Sequence, residues 1–73
     1  MYWYNPRTRS TESSPTPETD EEAMSLLKGD LNSDVFIAEY QKLRSSSMDI
    51  EQALVFTGHE IRLRHLEYQP PGQ

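Results

Sequence analysis

The stretch DIEQALVFTGHEIRLRHLEY, residues 49–68, constrains this chain most, because Ile50, Ala53, Leu54, Thr57 and Ile61 recur in it at spacings of three and four. That period belongs to an α-helix with one face in a core. Gly58 interrupts it. A glycine inside a helix costs about 1 kcal/mol relative to alanine, whereas just past a helix end it supplies the left-handed residue that closes the helix. The stretch is therefore one helix carrying a costly glycine, or two short helices divided at Gly58; the second reading is preferred. Ile50, Ala53, Leu54, Val55 and Phe56 spread over more than one face, which points to the most enclosed helix of the domain. Beyond Gly58, Ile61, Leu63 and Leu66 alternate with Arg62, Arg64 and Glu67 until Pro70 and Pro71 end all structure.

Two shorter helices precede this stretch. Thr19 and Glu22 form a capping box, and Asp20, Glu21 and Glu22 suit the positive end of a helix dipole. Ala23, Met24 and Leu27 give that helix an apolar stripe and Gly29 is its stop, so it runs two to three turns and must dock to persist. Asn32 or Ser33 caps the next helix, roughly residues 34–44. There Phe36, Tyr40 and Leu43 fall at i, i+4 and i+7, Val35, Ile37 and Ala38 widen the face, and Lys42 and Arg44 occupy the last turn. Ser45, Ser46 and Ser47 make a polar turn, and Asp49 caps the third helix.

The first 18 residues differ in kind. Tyr2, Trp3 and Tyr4 are followed by Asn5 and Pro6, which suit the first two positions of a type I turn and allow a short hairpin. Tyr2, Trp3, Tyr4, Asn5 and Thr8 resemble the central turn of WW domains over about ten residues. Ser13 stands where that family has its ligand-stacking tryptophan, so the resemblance is to a turn and implies no proline-binding role. Thr11 to Thr19, TESSPTPET, reads as an extended linker. The three aromatics either fold back onto a small core or form a docking segment, since Trp and Tyr dominate binding hot spots.

With 73 residues there is room for one domain, and without cysteine there are no disulfides and no thiolate metal sites. No apolar stretch approaches the roughly 18 residues of a membrane span, and no secretory signal is expected, which suggests a soluble, cytoplasmic chain. Charge is uneven. Residues 1–17 carry a net +1, residues 18–40 a net −6 from seven acids against Lys28, and residues 41–73 balance four bases with four acids. The acidic block reads as a solvated face and disfavours nucleic acid, whose affinity comes from clustered Lys and Arg.

His59 and His65, six apart, lie about 240° apart round a helix, so no metal or other cofactor is expected of them. The carboxylates gather where capping already explains them, with no phosphate loop and no nucleophile beside a base, so an enzyme is not expected.

Two further resemblances concern the long apolar stretch. Ile50, Thr57, Gly58, Arg62, Arg64 and Glu67 resemble the helix-turn-helix of MerR-type regulators, which implies DNA binding through Arg62 and Arg64. The match needs a one-residue deletion, and His59 replaces the apolar residue after the glycine. Residues 1–8 and 58–67 together resemble small uncharacterised cyanobacterial proteins that begin with MYWYNP and end in G-H-E-x-R-L-R-H-L-E. That likeness implies a cytoplasmic setting and no activity.

The expected fold is all-α: a three- or four-helix domain over residues 19–68, a leader and linker over 1–18 that is at most partly ordered, and a disordered tail over 69–73. The expected function is that of a non-enzymatic interaction or regulatory protein. It would bind a protein partner through Tyr2, Trp3, Tyr4 and Arg7 of the leader, through Asp20 and Glu21 of the first helix, or both. A homodimer fits the small core, and the alternative is a DNA-binding regulator using Arg62 and Arg64.

Overall fold

The computed structural model describes residues 1–28 and 32–67. The chain runs β1 (Tyr2–Asn5), β2 (Ser10–Ser13), α1 (Asp20–Leu26), α2 (Ser33–Ser45) and α3 (Ile50–Glu67). The all-α expectation is overturned, because the leader forms a two-stranded antiparallel sheet and the fold is mixed α and β. Tyr2 pairs with Ser13, Trp3 with Glu12, Tyr4 with Thr11 and Asn5 with Ser10. The Met1 amino group donates to the Ser14 carbonyl at 2.6 Å and the Ser14 amide returns the bond at 2.9 Å, which extends the ladder.

The turn is built from its own residues. Asn5 Oδ1 accepts from the Arg7 amide at 2.9 Å, and the Asn5 carbonyl accepts from the Arg9 amide at 2.8 Å. Arg9 takes a left-handed φ of 55°, as the last residue of a four-residue hairpin loop often must. A lone two-stranded hairpin is marginal in water, and this one is held by what it covers. Trp3 is 2 % exposed and belongs to one core with Ala23, Leu27, Phe36, Tyr40, Ala53, Leu54 and Ile61. Its indole Nε1 donates to Ser14 Oγ at 2.9 Å, so the buried ring keeps a polar partner.

Side-chain caps set the starts of α1 and α3, whereas at Asn32, the N-cap position of α2, no side-chain cap bond is formed. Thr19 accepts from the Glu22 amide at 3.2 Å, while the Glu22 carboxylate accepts from the Glu18 amide at 3.2 Å, one residue before the partner a capping box uses. Asp49 accepts from the Gln52 amide at 2.7 Å at the head of α3. The end of α2 closes with two bonds, Ser47 amide to Arg44 carbonyl and Met48 amide to Leu43 carbonyl, and with Ser47 at a left-handed φ of 72°. Those two bonds define a Schellman motif, with serine where glycine is usual. The Gly29 stop and the tail over 69–73 lie outside the described residues.

Gly58 does not divide the last helix. α3 is continuous over 18 residues, about 27 Å long at 1.5 Å per residue. The glycine is there because β1 crosses the helix at that point. A Cβ on Gly58 would lie 2.9 Å from the Tyr4 carbonyl oxygen and 3.2 Å from Trp3 Cε3. Close approach of strand to helix, rather than helix termination, explains the residue. Neither is α3 enclosed all round. Ala53, Leu54, Thr57, Gly58 and Ile61 are buried, with Thr57 Oγ1 donating to the Ala53 carbonyl at 2.7 Å, whereas Val55, Phe56 and Leu63 are exposed. In α2, Phe36 and Tyr40 are buried, Leu43 and Ile37 half-buried, and Val35 and Ala38 face out.

Candidate protein-docking face

The structure distributes the sequence-derived candidates over separate surroundings. Tyr2 is 69 % exposed, Trp3 is buried, and Tyr4 is half-buried with its hydroxyl 2.7 Å from His65 Nδ1. The alternation of a strand accounts for the split: Trp3 enters the core and Tyr2 faces out, while Tyr4 packs at the edge of the core. Arg7 gives Nη2 to the Ser25 carbonyl at 3.1 Å, tying the hairpin turn to α1.

Asp20 is also engaged within the fold. Its Oδ1 accepts from the Tyr40 hydroxyl at 2.6 Å and from Arg44 Nε at 2.7 Å, so α1 is bound to α2 through one carboxylate oxygen. The Arg44 hydrogen bond, then that of Tyr40, holds the Asp20 carboxyl below its usual range. Burial, and then the bond to Asp20, pushes the Tyr40 phenol up, while Asp20 raises Arg44. These shifts accompany a structural tie between helices and point to no acid–base site. Glu21 is exposed one residue further on.

Arg62 and Arg64 do not share a face. Two positions on a helix are about 200° apart, and the Arg64 guanidinium lies 5.8 Å from the Phe36 ring centroid while Arg62 points elsewhere. The turn that a helix-turn-helix needs at Gly58 is not formed, since α3 passes through it. Among the described residues no three His, Cys, Asp or Glu side chains gather where they could hold a metal ion, and no helix is long and apolar enough to cross a membrane.

What the structure brings together instead is an apolar face. Tyr2, Met48, Glu51, Gln52, Val55 and Phe56 line an open groove of about 540 Å³ between β1 and the first half of α3. Its apolar side chains are well presented, with Tyr2 at 69 %, Phe56 at 50 % and Val55 at 38 % exposure. The groove floor is anchored from both sides. Trp3, next to Tyr2, is locked in the core, and Ala53 and Leu54, next to Val55, are fully buried. Thr16 Oγ1 donates to Glu51 at 3.3 Å, which ties the linker to the same rim. Phe56 continues along the helix to Leu63, 40 % exposed one heptad later.

Val55, Phe56 and Leu63 were not among the sequence-derived site residues. The available signal was their excess over one helical face: a helix with apolar side chains on two sides is either enclosed or presents one side to something else. The chain has no match among protein-family models, curated proteins or solved structures.

Proposed function

We propose that this chain is a non-enzymatic, cytoplasmic interaction protein whose work is to dock a protein partner on the face formed by Tyr2 and the outer side of α3. The carrying observation is the groove itself, where Tyr2 of β1 and Val55 and Phe56 of α3 stand exposed together. Contiguous apolar surface of that sort on a small protein marks interaction sites, and aromatic side chains at such sites supply much of the binding energy. Of the aromatic leader, Tyr2 is the side chain that meets the partner, while Trp3 holds the strand in place beneath it. The acidic first helix contributes long-range charge, with Asp20 committed to Arg44 and Glu21 open to solvent.

The test is recovery of partner proteins on tagged wild type, Tyr2→Ser and Phe56→Glu, with helix content checked by circular dichroism. Both positions are exposed, so the fold should persist while a partner held by wild type is lost from both variants. Equal recovery by all three would overturn the docking face. Binding of duplex DNA at low salt, lost in the Arg62→Ala, Arg64→Ala double variant, would replace this reading with the nucleic-acid one.

A further inference from the structure

The docking face has a pattern more specific than exposed apolar surface. Gln52, Phe56, His59 and Leu63 follow one another at spacings of four, three and four, and all four are exposed. At 100° per residue they fall within about 60° of arc, a straight stripe along α3. Alternating four–three spacing is that of a helix packing lengthwise against another helix. The stripe contains no Lys, Arg, Asp or Glu. Its borders are balanced as well, with Glu51 and Arg62 along one side and Glu60 and Arg64 along the other.

That balance bears on what covers the stripe. The chain has a net charge of −5, and the surplus lies in residues 18–40 rather than here. A partner recruited by charge would be basic and would settle on the acidic block. A stripe without Lys, Arg, Asp or Glu, bordered on one side by both an acid, Glu51, and a base, Arg62, is complementary to itself along that side. Resting on the docking reading above, we propose that the occupant is a second copy of this chain, with α3 packed antiparallel on α3 about a two-fold axis.

The register follows from the spacing. A two-fold axis midway between Phe56 and His59 sets Gln52 opposite Leu63 of the second copy and Phe56 opposite His59. The same axis brings Glu51 within about 3 Å along the helix of the level of the second copy's Arg62. Symmetry makes that charge pair twice, as a two-fold interface requires. Tyr2 and Val55 lie on the same border and close the edge of the interface. Thr16, which donates to Glu51 at 3.3 Å, leaves the second carboxylate oxygen to face the arginine.

Sedimentation equilibrium of the full chain tests this directly. Wild type should sediment at twice its 8.5 kDa mass at micromolar concentrations, and Leu63→Glu should sediment as a monomer with unchanged helix content. Glu51→Arg sets like charges together at two symmetric points and should weaken the dimer at least about tenfold. Adding Arg62→Glu to that variant reverses both charges and should restore most of the loss, a rescue that damage to the monomer fold would not produce. A wild type monomeric at every concentration, or a dimer indifferent to Leu63→Glu, would overturn self-pairing. A charge swap without rescue would overturn the antiparallel register. If wild type is monomeric while recovery of another protein still depends on Phe56, the self-pairing fails and the docking face stands. If neither depends on the stripe, both fail.

Discussion

Replacing Gly58 by alanine sets two effects against each other at one position. In an open helix the exchange stabilises by about 1 kcal/mol, the difference in helix propensity. Here the added methyl would lie 2.9 Å from the Tyr4 carbonyl oxygen, 3.2 Å from Trp3 Cε3 and 3.4 Å from the Tyr4 nitrogen. The nearest atom is backbone, so no side-chain rotation relieves the contact, and β1 must retreat as a unit. That retreat pulls on Trp3, which is 2 % exposed in the core, and on the 2.7 Å contact of Tyr4 with His65. Overfilling a packed site costs about 1–3 kcal/mol. Set against the propensity gain, the net is a loss of about 1 kcal/mol, equivalent to about 4–8 °C in Tm for a domain of this size. Urea unfolding followed by circular dichroism and by Trp3 emission should show the midpoint falling by about 1 M, taking a slope near 1 kcal/mol/M. A variant more stable than wild type would refute the close approach of strand and helix.

The end of α2, the buried Trp3 and the Asp20–Arg44–Tyr40 cluster each offer a further test. Ser47→Gly relieves a left-handed serine in the Schellman motif and should raise stability by about 0.5–1 kcal/mol, seen as a higher urea midpoint. Trp3→Ala empties the largest ring from the core at about 3–5 kcal/mol, which equals all that a domain this small commonly holds, so the variant should lack cooperative unfolding at 25 °C. The wild-type tryptophan should emit well to the blue of free indole, and emission at the free-indole position would exclude the packed hairpin. The Asp20 carboxyl, lowered by Arg44 and then Tyr40, contributes stability that is present above its unfolded pKa of about 3.9 and is lost as pH falls through its folded value. The raised Tyr40 phenol contributes stability that is full below about pH 10 and declines as pH rises above it. Asp20→Asn should flatten the acid limb of a stability–pH profile and Tyr40→Phe the alkaline limb; unchanged limbs would dismiss the pair as a source of pH dependence.

The helices were legible in the sequence because their signals are local. Thr19, Asp49 and the stripe of Phe36, Tyr40 and Leu43 each act within a few residues, and the structure uses them as the sequence suggests. The hairpin was legible only as a turn. β2 is Ser-Thr-Glu-Ser, with no apolar alternation to announce a strand, because that strand faces its neighbour and solvent rather than the core. Gly58 was ambiguous for a different reason: what explains it is the backbone of Tyr4, which no local pattern can reveal. The candidate site was half legible. Tyr2 could be singled out as an aromatic, but the exposure of Val55 and Phe56 depends on which side of α3 the hairpin covers, and their apolar character alone reads as core.

The bond between Tyr4 and His65 spans 61 positions, and it has a consequence in time. A ribosome adding about 5–20 residues per second needs about 3–12 s to make that span. Throughout the interval β1 exists without the helix it covers, and neither a two-stranded hairpin nor a seven-residue α1 persists by itself. Closure must wait for the second half of α3. The aromatic strand is thus made seconds before the helix that shields it, so Trp3 and Tyr4 must wait for α3 before they can be covered.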